Sequence, residues 1–87
     1  MNVLQGKQVV LPELGEGIAK AVVAFWHAKE GDLVAADDDI VELVTDKATF
    51  NVSAGFPGTL RQILVPVGKE ANIGQPLAII EPLTISS

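Results

Sequence analysis

The chain of 87 residues contains no cysteine, which excludes a disulfide framework and any thiol chemistry of its own. The only histidine, His27, stands in an apolar stretch beside Trp26, a setting more typical of a packed or edge residue than of a catalyst. Serine occurs only at Ser53, Ser86 and Ser87, and none is in a nucleophile-elbow setting. The sequence therefore offers no Ser-His-Asp or Cys-His catalytic arrangement.

Positive charge and long hydrophobic runs are also scarce. Six Lys and Arg residues against eleven Asp and Glu residues give a net charge of −5. An acidic surface repels phosphate backbones, so nucleic acid is not expected as a partner. No apolar run approaches the roughly 20 residues that cross a bilayer, so no membrane association is expected. Hydrophobic residues make up 48% of the chain, which indicates one globular domain with a single core.

What the chain does contain is a series of short apolar stretches, many of them β-branched, each bounded by turn residues. They predict strands over residues 7–11, 20–28, 39–45, 48–54, 59–65 and 77–81. No capped segment of helical period and useful length is present. This spacing predicts an all-β sandwich or barrel.

A weak internal repeat runs through the chain at an offset of 37 residues, which places Gly31 on Gly68 and Ile40 on Leu77. Two half-domains related by a pseudo-twofold axis, each donating strands to the other's sheet, would produce such a repeat. In that arrangement the segment around Lys47 forms a hairpin at the opposite end from the chain termini.

Two segments have some features of ligand sites but fit simpler interpretations. The run Gly15-Glu16-Gly17 lacks the third glycine of a phosphate-binding loop, and its carboxylate would repel phosphate. Residues 37–39 are consecutive aspartates, whereas calcium loops need carboxylates at alternate positions and a turn glycine. We interpret them as a solvated acidic turn with an electrostatic role in steering a partner protein.

Lys47 lies between two apolar stretches with almost no connecting residues, a spacing that predicts a tight β-hairpin with the lysine at or beside its apex. Asp46-Lys47 is not the Asn-Gly or Asp-Gly pair of a type I′ turn, so another turn geometry is expected. In isolation, a hairpin lysine needs no function beyond keeping a sheet edge soluble.

Several motifs, in order along the chain, resemble those of lipoyl domains in the biotinyl/lipoyl attachment family. Residues 10–18 look like their L-P-D-I-G-E-G-I opening, residues 26–34 resemble W-x-V-K-E-G-D-x-V, and residues 45–48 match the lipoylation motif T-D-K-A. Further matches follow at residues 57–60, 67–68 and 73–77, so the resemblance covers about residues 8–82. The departures spare the lysine and its immediate neighbours: Val44 where glutamate is common, Ala71 for valine, and the polar Asn51 and Ser53.

This resemblance implies a flattened barrel-sandwich hybrid over residues 7–82, built from two four-stranded antiparallel sheets with pseudo-twofold symmetry. Residues 83–87 are expected to begin a flexible linker. The resemblance further implies (R)-lipoate in amide linkage to Lys47, flanked by Asp46 and Ala48, with no catalytic or metal-binding residue in the domain. Partner recognition is expected from Glu13, Gly15, Glu16, Gly17 and Thr45.

The resemblance also implies a function as a non-catalytic carrier domain of a dihydrolipoamide acyltransferase chain in a 2-oxo acid dehydrogenase complex. Its swinging arm would shuttle acyl groups and reducing equivalents between a thiamine-diphosphate-dependent 2-oxo acid dehydrogenase, the acyltransferase catalytic domain and dihydrolipoyl dehydrogenase. A lipoate ligase or lipoyltransferase would attach the arm, in the bacterial cytoplasm or the mitochondrial matrix. Pyruvate, 2-oxoglutarate, branched-chain 2-oxo acids and acetoin are all compatible substrates of such a complex.

Three alternatives differ from this interpretation in identifiable ways. Biotinyl carrier domains typically have methionine on both sides of the modified lysine, where this chain has Asp46 and Ala48. A glycine-cleavage carrier is normally longer and has extra helical segments. An unmodified β-barrel binding module would require the T-D-K-A context to be accidental.

Overall fold

Eight short strands form the domain in a computed structural model that describes residues 6–82. In chain order the strands are β1 (Lys7–Val10), β2 (Lys20–Trp26), β3 (Leu33–Val34), β4 (Asp39–Val44), β5 (Thr49–Ser53), β6 (Gly58–Ile63), β7 (Glu70–Asn72) and β8 (Pro76–Pro82). All six predicted strands are present, with ends that differ by one or two residues. The linker expected at residues 83–87 lies outside the described residues.

The two strands that the residue pattern did not predict are the shortest. β3 and β7 each contain a single buried residue, Val34 and Ala71 respectively. A segment with one inward side chain is too short for the alternation of apolar and polar residues to repeat, so the pattern that identifies longer strands is absent.

The strands form two four-stranded antiparallel sheets, ordered β1-β8-β6-β3 and β5-β4-β2-β7. The all-β fold class and the two-sheet architecture are therefore confirmed. Within residues 6–82 there is no helix long and apolar enough to cross a membrane.

The core lies between the sheets and is entirely apolar over the described residues. Both sheets contribute to it in matched positions, because Val23 and Leu43 from one sheet and Leu60 and Ile80 from the other are all fully buried. Its largest buried side chains are Leu11, Ile40, Leu43, Leu60, Leu77, Ile80, Val23 and Val41. Burial of this kind contributes about 1.5–3 kcal/mol for each large aliphatic side chain and is the main stabilising term of the fold.

The predicted pseudo-twofold repeat is confirmed. The 37-residue offset carries β2, β3 and β4 onto β6, β7 and β8, and the sheet orders then correspond with β5 matching β1. Backbone hydrogen bonds repeat as well: the Gly31 N–H donates to the Leu60 carbonyl at 2.7 Å, and the Gly68 N–H donates to the Val23 carbonyl at 2.8 Å. Both glycines have positive φ, 99° and 91°, a region that glycine enters without strain.

The twofold relationship gives the domain two dissimilar ends. At one end β4 turns into β5, and at the other β1 begins beside the last residues of β8, with Lys7 opposite Ile80. β1 runs from that second end toward the hairpin, and the loop that follows it reaches the hairpin at Gly17. The hairpin and the ends of the described chain therefore lie at opposite ends of the domain.

Candidate modification site

Four residues connect β4 to β5, and Lys47 is the third of them. The turn is closed by the Thr45 N–H, which donates to the Ala48 carbonyl at 2.9 Å, and the first strand pair beyond it is Val44 opposite Thr49. No described residue other than glycine has a positive φ, so Asp46 and Lys47 do not form a type I′ turn. The expectation of a tight hairpin with another turn geometry is confirmed.

The hydroxyl of Thr45 holds this turn together. Its Oγ1 accepts the N–H groups of Lys47 at 3.1 Å and Ala48 at 3.0 Å, and it donates to the Ala48 carbonyl at 2.9 Å. A hydroxyl has one donor and two acceptor positions, so this side chain uses its full hydrogen-bonding capacity inside the turn. The backbone of Lys47 is therefore fixed by a neighbouring side chain as well as by the two strands.

The side chain of Lys47, in contrast, projects into solvent, as do Asp46 and Ala48. The ion pairs among residues 6–82 join Lys20 to Glu70 and Arg61 to Glu81, and neither involves the hairpin. A modifying enzyme or a moving prosthetic arm requires a fixed backbone and an exposed amine that is not held in one of these ion pairs.

The loop of residues 13–18 lies against this hairpin. Gly17 has a φ of +84°, and a Cβ built on its backbone would stand 3.7 Å from the Nζ of Lys47. The Ile18 N–H donates to the Gly15 carbonyl at 3.2 Å, which folds the loop into a turn. Gly17 and Thr45 are thus at the lysine, whereas Glu13 and Glu16 are exposed on the same loop without a described contact to the hairpin.

A groove of about 490 Å³ lies beside the hairpin, between the end of this loop with the start of β2 and the end of β4, and it was not predicted from the sequence. It is lined by residues 17–22 on one side and by Val44, Thr45 and Asp46 on the other, with Glu70 at its rim. Val22 and Val44 are strand partners within it, and they remain 38% and 39% exposed. The only sequence signal was Val44 itself, which stands where glutamate is common in lipoyl domains.

Two other polar residues considered in the sequence, Asp38 and His27, have local structural roles. Asp38 accepts the Ala35 N–H through Oδ2 at 2.9 Å, so one aspartate of the acidic turn closes that turn. The ring of His27 packs edge-on against Phe25 at 5.1 Å and pairs its Nε2 with Oδ1 of Asn51 at 3.1 Å, on an exposed surface. The described part of the chain contains no group of three or more residues that could hold a metal ion.

Fold and site together define a barrel-sandwich hybrid domain that presents a lysine on a hairpin. A solution structure of the lipoyl domain of the 2-oxoglutarate dehydrogenase complex from Azotobacter vinelandii is similar, with a TM-score of 0.69 and 32% identity over 87% of this chain and 98% of that one. Urea carboxylase from Kluyveromyces lactis also aligns, with a TM-score of 0.75, over 92% of this chain and 6% of that one. Its 20% identity supports the shared fold alone.

Sequence comparison distinguishes between these two structural neighbours, the lipoyl domain and the carboxylase. The biotin/lipoyl family model, described as "Biotin-requiring enzyme", matches residues 7–80. The succinyltransferase component of the 2-oxoglutarate dehydrogenase complex from Buchnera aphidicola is 40% identical over 88% of the chain. The lipoamide acyltransferase component of the branched-chain alpha-keto acid dehydrogenase complex from Bos taurus is 36% identical over 90% of it. The chain belongs to the biotin/lipoyl family, as a lipoyl domain of the type found in acyltransferases of 2-oxo acid dehydrogenase complexes.

The aligned segment is a small part of those relatives. The chain spans 18% of the length of the Buchnera protein and 17% of the bovine protein. In the Azotobacter lipoyl domain, by contrast, it spans nearly the whole of the solved chain.

Proposed function

We propose that lipoic acid is attached to Nζ of Lys47 and that the domain functions as a lipoyl carrier. The observation that carries this proposal is the hairpin itself, in which Thr45 fixes the turn while the lysine amine remains exposed. Other lysines are differently placed: Lys7 lies over the Phe56 ring at 5.3 Å, and Lys20 pairs with Glu70 at 3.4 Å.

The surroundings of Lys47 fit a lipoyl amide. Attachment forms a bond between Nζ and the lipoyl carbonyl carbon and displaces the leaving group of an activated lipoyl donor. The nitrogen loses two of the three protons of the ammonium group. The product is a neutral amide, so the formal net charge changes from −5 to −6. Because Gly17 has no side chain, the space beside Nζ is open to the added group. When attached, lipoate supplies a dithiolane that accepts an acyl group and two electrons.

We further propose that this arm serves three enzymes in turn: a thiamine-diphosphate-dependent 2-oxo acid dehydrogenase, an acyltransferase catalytic domain and dihydrolipoyl dehydrogenase. The support is that the relatives are named as acyltransferase components of such complexes. A tethered carrier replaces free diffusion with a high effective concentration near each site, so the domain contributes position while the prosthetic group carries the chemistry. Relatives from bacteria and from mitochondria support either the bacterial cytoplasm or the mitochondrial matrix as its location.

Modification with lipoate and with biotin in parallel tests the proposal. The domain is produced with lipoate and a lipoate ligase, or with biotin and a biotin ligase, and its intact mass is measured before and after. We expect a single lipoyl group, located on Lys47 by peptide mapping, and its loss in Lys47→Arg with an unchanged fold. Addition of biotin instead, or of lipoate to Lys20, Lys29 or Lys69, would overturn the assignment.

A further inference from the structure

The groove beside the hairpin has an apolar surface that the fold does not require. Val22 and Val44 face each other across β2 and β4, and each is more than a third exposed. The two neighbouring valines leave a small apolar surface in water, and covering it is favourable.

The other half of the domain shows which residues this position accepts. The 37-residue offset carries Val22 onto Thr59 and Val44 onto Glu81, and these two residues are likewise strand partners, in β6 and β8. At the end of the domain that lacks the lysine, the equivalent pair is therefore polar, and Glu81 forms an ion pair with Arg61. The valine pair is present only at the end with the hairpin.

The groove begins at the lysine amine. Gly17 both lines the groove and lies beside Nζ of Lys47, so a group attached to that nitrogen starts at the groove's edge. From Gly17 to Lys20 the lining runs for at most roughly 10 Å, the reach of three extended residues. The pair Lys20–Glu70 forms a polar rim at that distance, with Nζ and Oε2 3.4 Å apart.

We propose that this groove is a resting site for the lipoyl group of Lys47, whose methylene chain and dithiolane lie against Val22 and Val44 when no partner enzyme holds them. The proposal rests on the proposed attachment to Lys47. The occupant is a narrow apolar chain tethered at the groove's entrance, and covering the valines removes exposed apolar surface without the translational cost of a free ligand, because the chain is already attached.

Methyl NMR of the lipoylated domain tests this directly. Valine and isoleucine methyl groups are labelled, and spectra of the unmodified and the lipoylated domain are compared. We expect shifts at the methyl groups of Val22 and Val44 and nuclear Overhauser effects between them and the lipoyl protons. Val67, which is 57% exposed outside the groove, is the internal control and should not shift. Absence of shifts and Overhauser effects at Val22 and Val44 in a fully lipoylated sample would overturn the resting site.

A reactivity assay gives an independent readout, because the chain has no cysteine and only the reduced lipoyl group can be alkylated. In the double variant Val22→Thr with Val44→Thr, we expect maleimide to alkylate the reduced arm about tenfold faster, the effect of exposing roughly two methylene groups. Threonine occurs at the twofold-equivalent Thr59 and suits a strand, so the fold is retained. Val67→Thr is the matched control and should leave the rate unchanged.

Intact mass separates the failure of this inference from that of the proposed function. If Lys47 carries no lipoyl group, the proposed function fails before the groove is tested. If Lys47 is lipoylated but the double variant alkylates at the original rate, the resting site is wrong. If the double variant alkylates at the original rate and instead slows lipoylation, the groove belongs to recognition by the modifying enzyme and the inference is likewise overturned.

Discussion

Gly17 lies directly beside Lys47, because a Cβ at position 17 would stand 3.7 Å from the lysine Nζ. The two residues come from different parts of the chain, one from the loop after β1 and one from the turn between β4 and β5. The positive φ of the loop favours glycine here, and the missing side chain also leaves the space beside the amine open, which a Cβ would fill at ordinary contact distance.

We expect Gly17→Ala to cost about 1 kcal/mol of stability or more, because alanine is strained at a φ of +84°, and to slow lipoylation of Lys47. Gly55→Ala is the matched control, since its φ is +87° and nothing lies within 4 Å of an added Cβ. Urea denaturation should show similar losses of stability in both variants, while lipoylation should slow in Gly17→Ala alone. Equal lipoylation rates would show that the space beside Nζ is not used.

Thr45 offers a second test of positioning. Thr45→Val keeps the shape of the side chain but removes three hydrogen bonds in the turn, at a cost of about 1 kcal/mol since water can replace them partly. We expect lipoylation to slow about tenfold or more because the amine is no longer held in place. Thr45→Ser retains the hydroxyl and should restore the rate, measured at saturating ligase. A slow serine variant would show that the methyl group of Thr45, and not its hydroxyl, is the important part.

The position of the lysine can be changed without changing the composition. In Asp46→Lys with Lys47→Asp, the amine moves by one residue while net charge stays the same. We expect a folded domain with almost no lipoylation, since adjacent positions on a hairpin direct their side chains differently. As a control, Asp46→Met with Ala48→Met leaves Lys47 in place and should still be lipoylated to some extent. Normal modification of the displaced lysine would mean that the hairpin acts as a simple peptide tag.

The acidic residues of the loop are expected to act in recognition by the dehydrogenase. Glu13 and Glu16 are exposed on the segment that reaches the hairpin. We expect replacement of both by glutamine to slow reductive acylation more than lipoylation, because complementary charges mainly steer the encounter between proteins. Both rates are measured on the same preparation, against Asp37→Gln as an acidic control outside this loop. An equal loss in both reactions would exclude a specific role at the dehydrogenase.

The twofold axis predicts paired effects on stability. Gly31 and Gly68 have φ values of 99° and 91° with open space around an added Cβ, so alanine at either position should cost about 1 kcal/mol or more through backbone strain alone. Denaturation can be followed through Trp26, which is half-buried and donates from Nε1 to the Val65 carbonyl at 2.9 Å. Markedly different costs at the two glycines would show that the two halves respond differently despite their matched hydrogen bonds.

The sequence predicted the long strands and the repeat because these depend on local composition. β2 has buried residues in alternation and β4 has three buried residues, whereas β3 and β7 have one each and could be recognised only through the family resemblance. The hairpin lysine was predicted for the same local reason. The three hydrogen bonds of Thr45, and the groove formed by residues far apart in the chain, depend on tertiary geometry that no local pattern contains.

The pairing of β1 with β8 determines how such a domain is attached within a longer polypeptide. Because Lys7 and Ile80 are neighbours, the chain enters and leaves the domain side by side, at the end away from Lys47. A domain joined in this way is attached at one end only, and its hairpin faces away from the attachment point. Several copies could be arranged in series along one polypeptide, and each would retain an unobstructed hairpin, because joining them would involve only the opposite end.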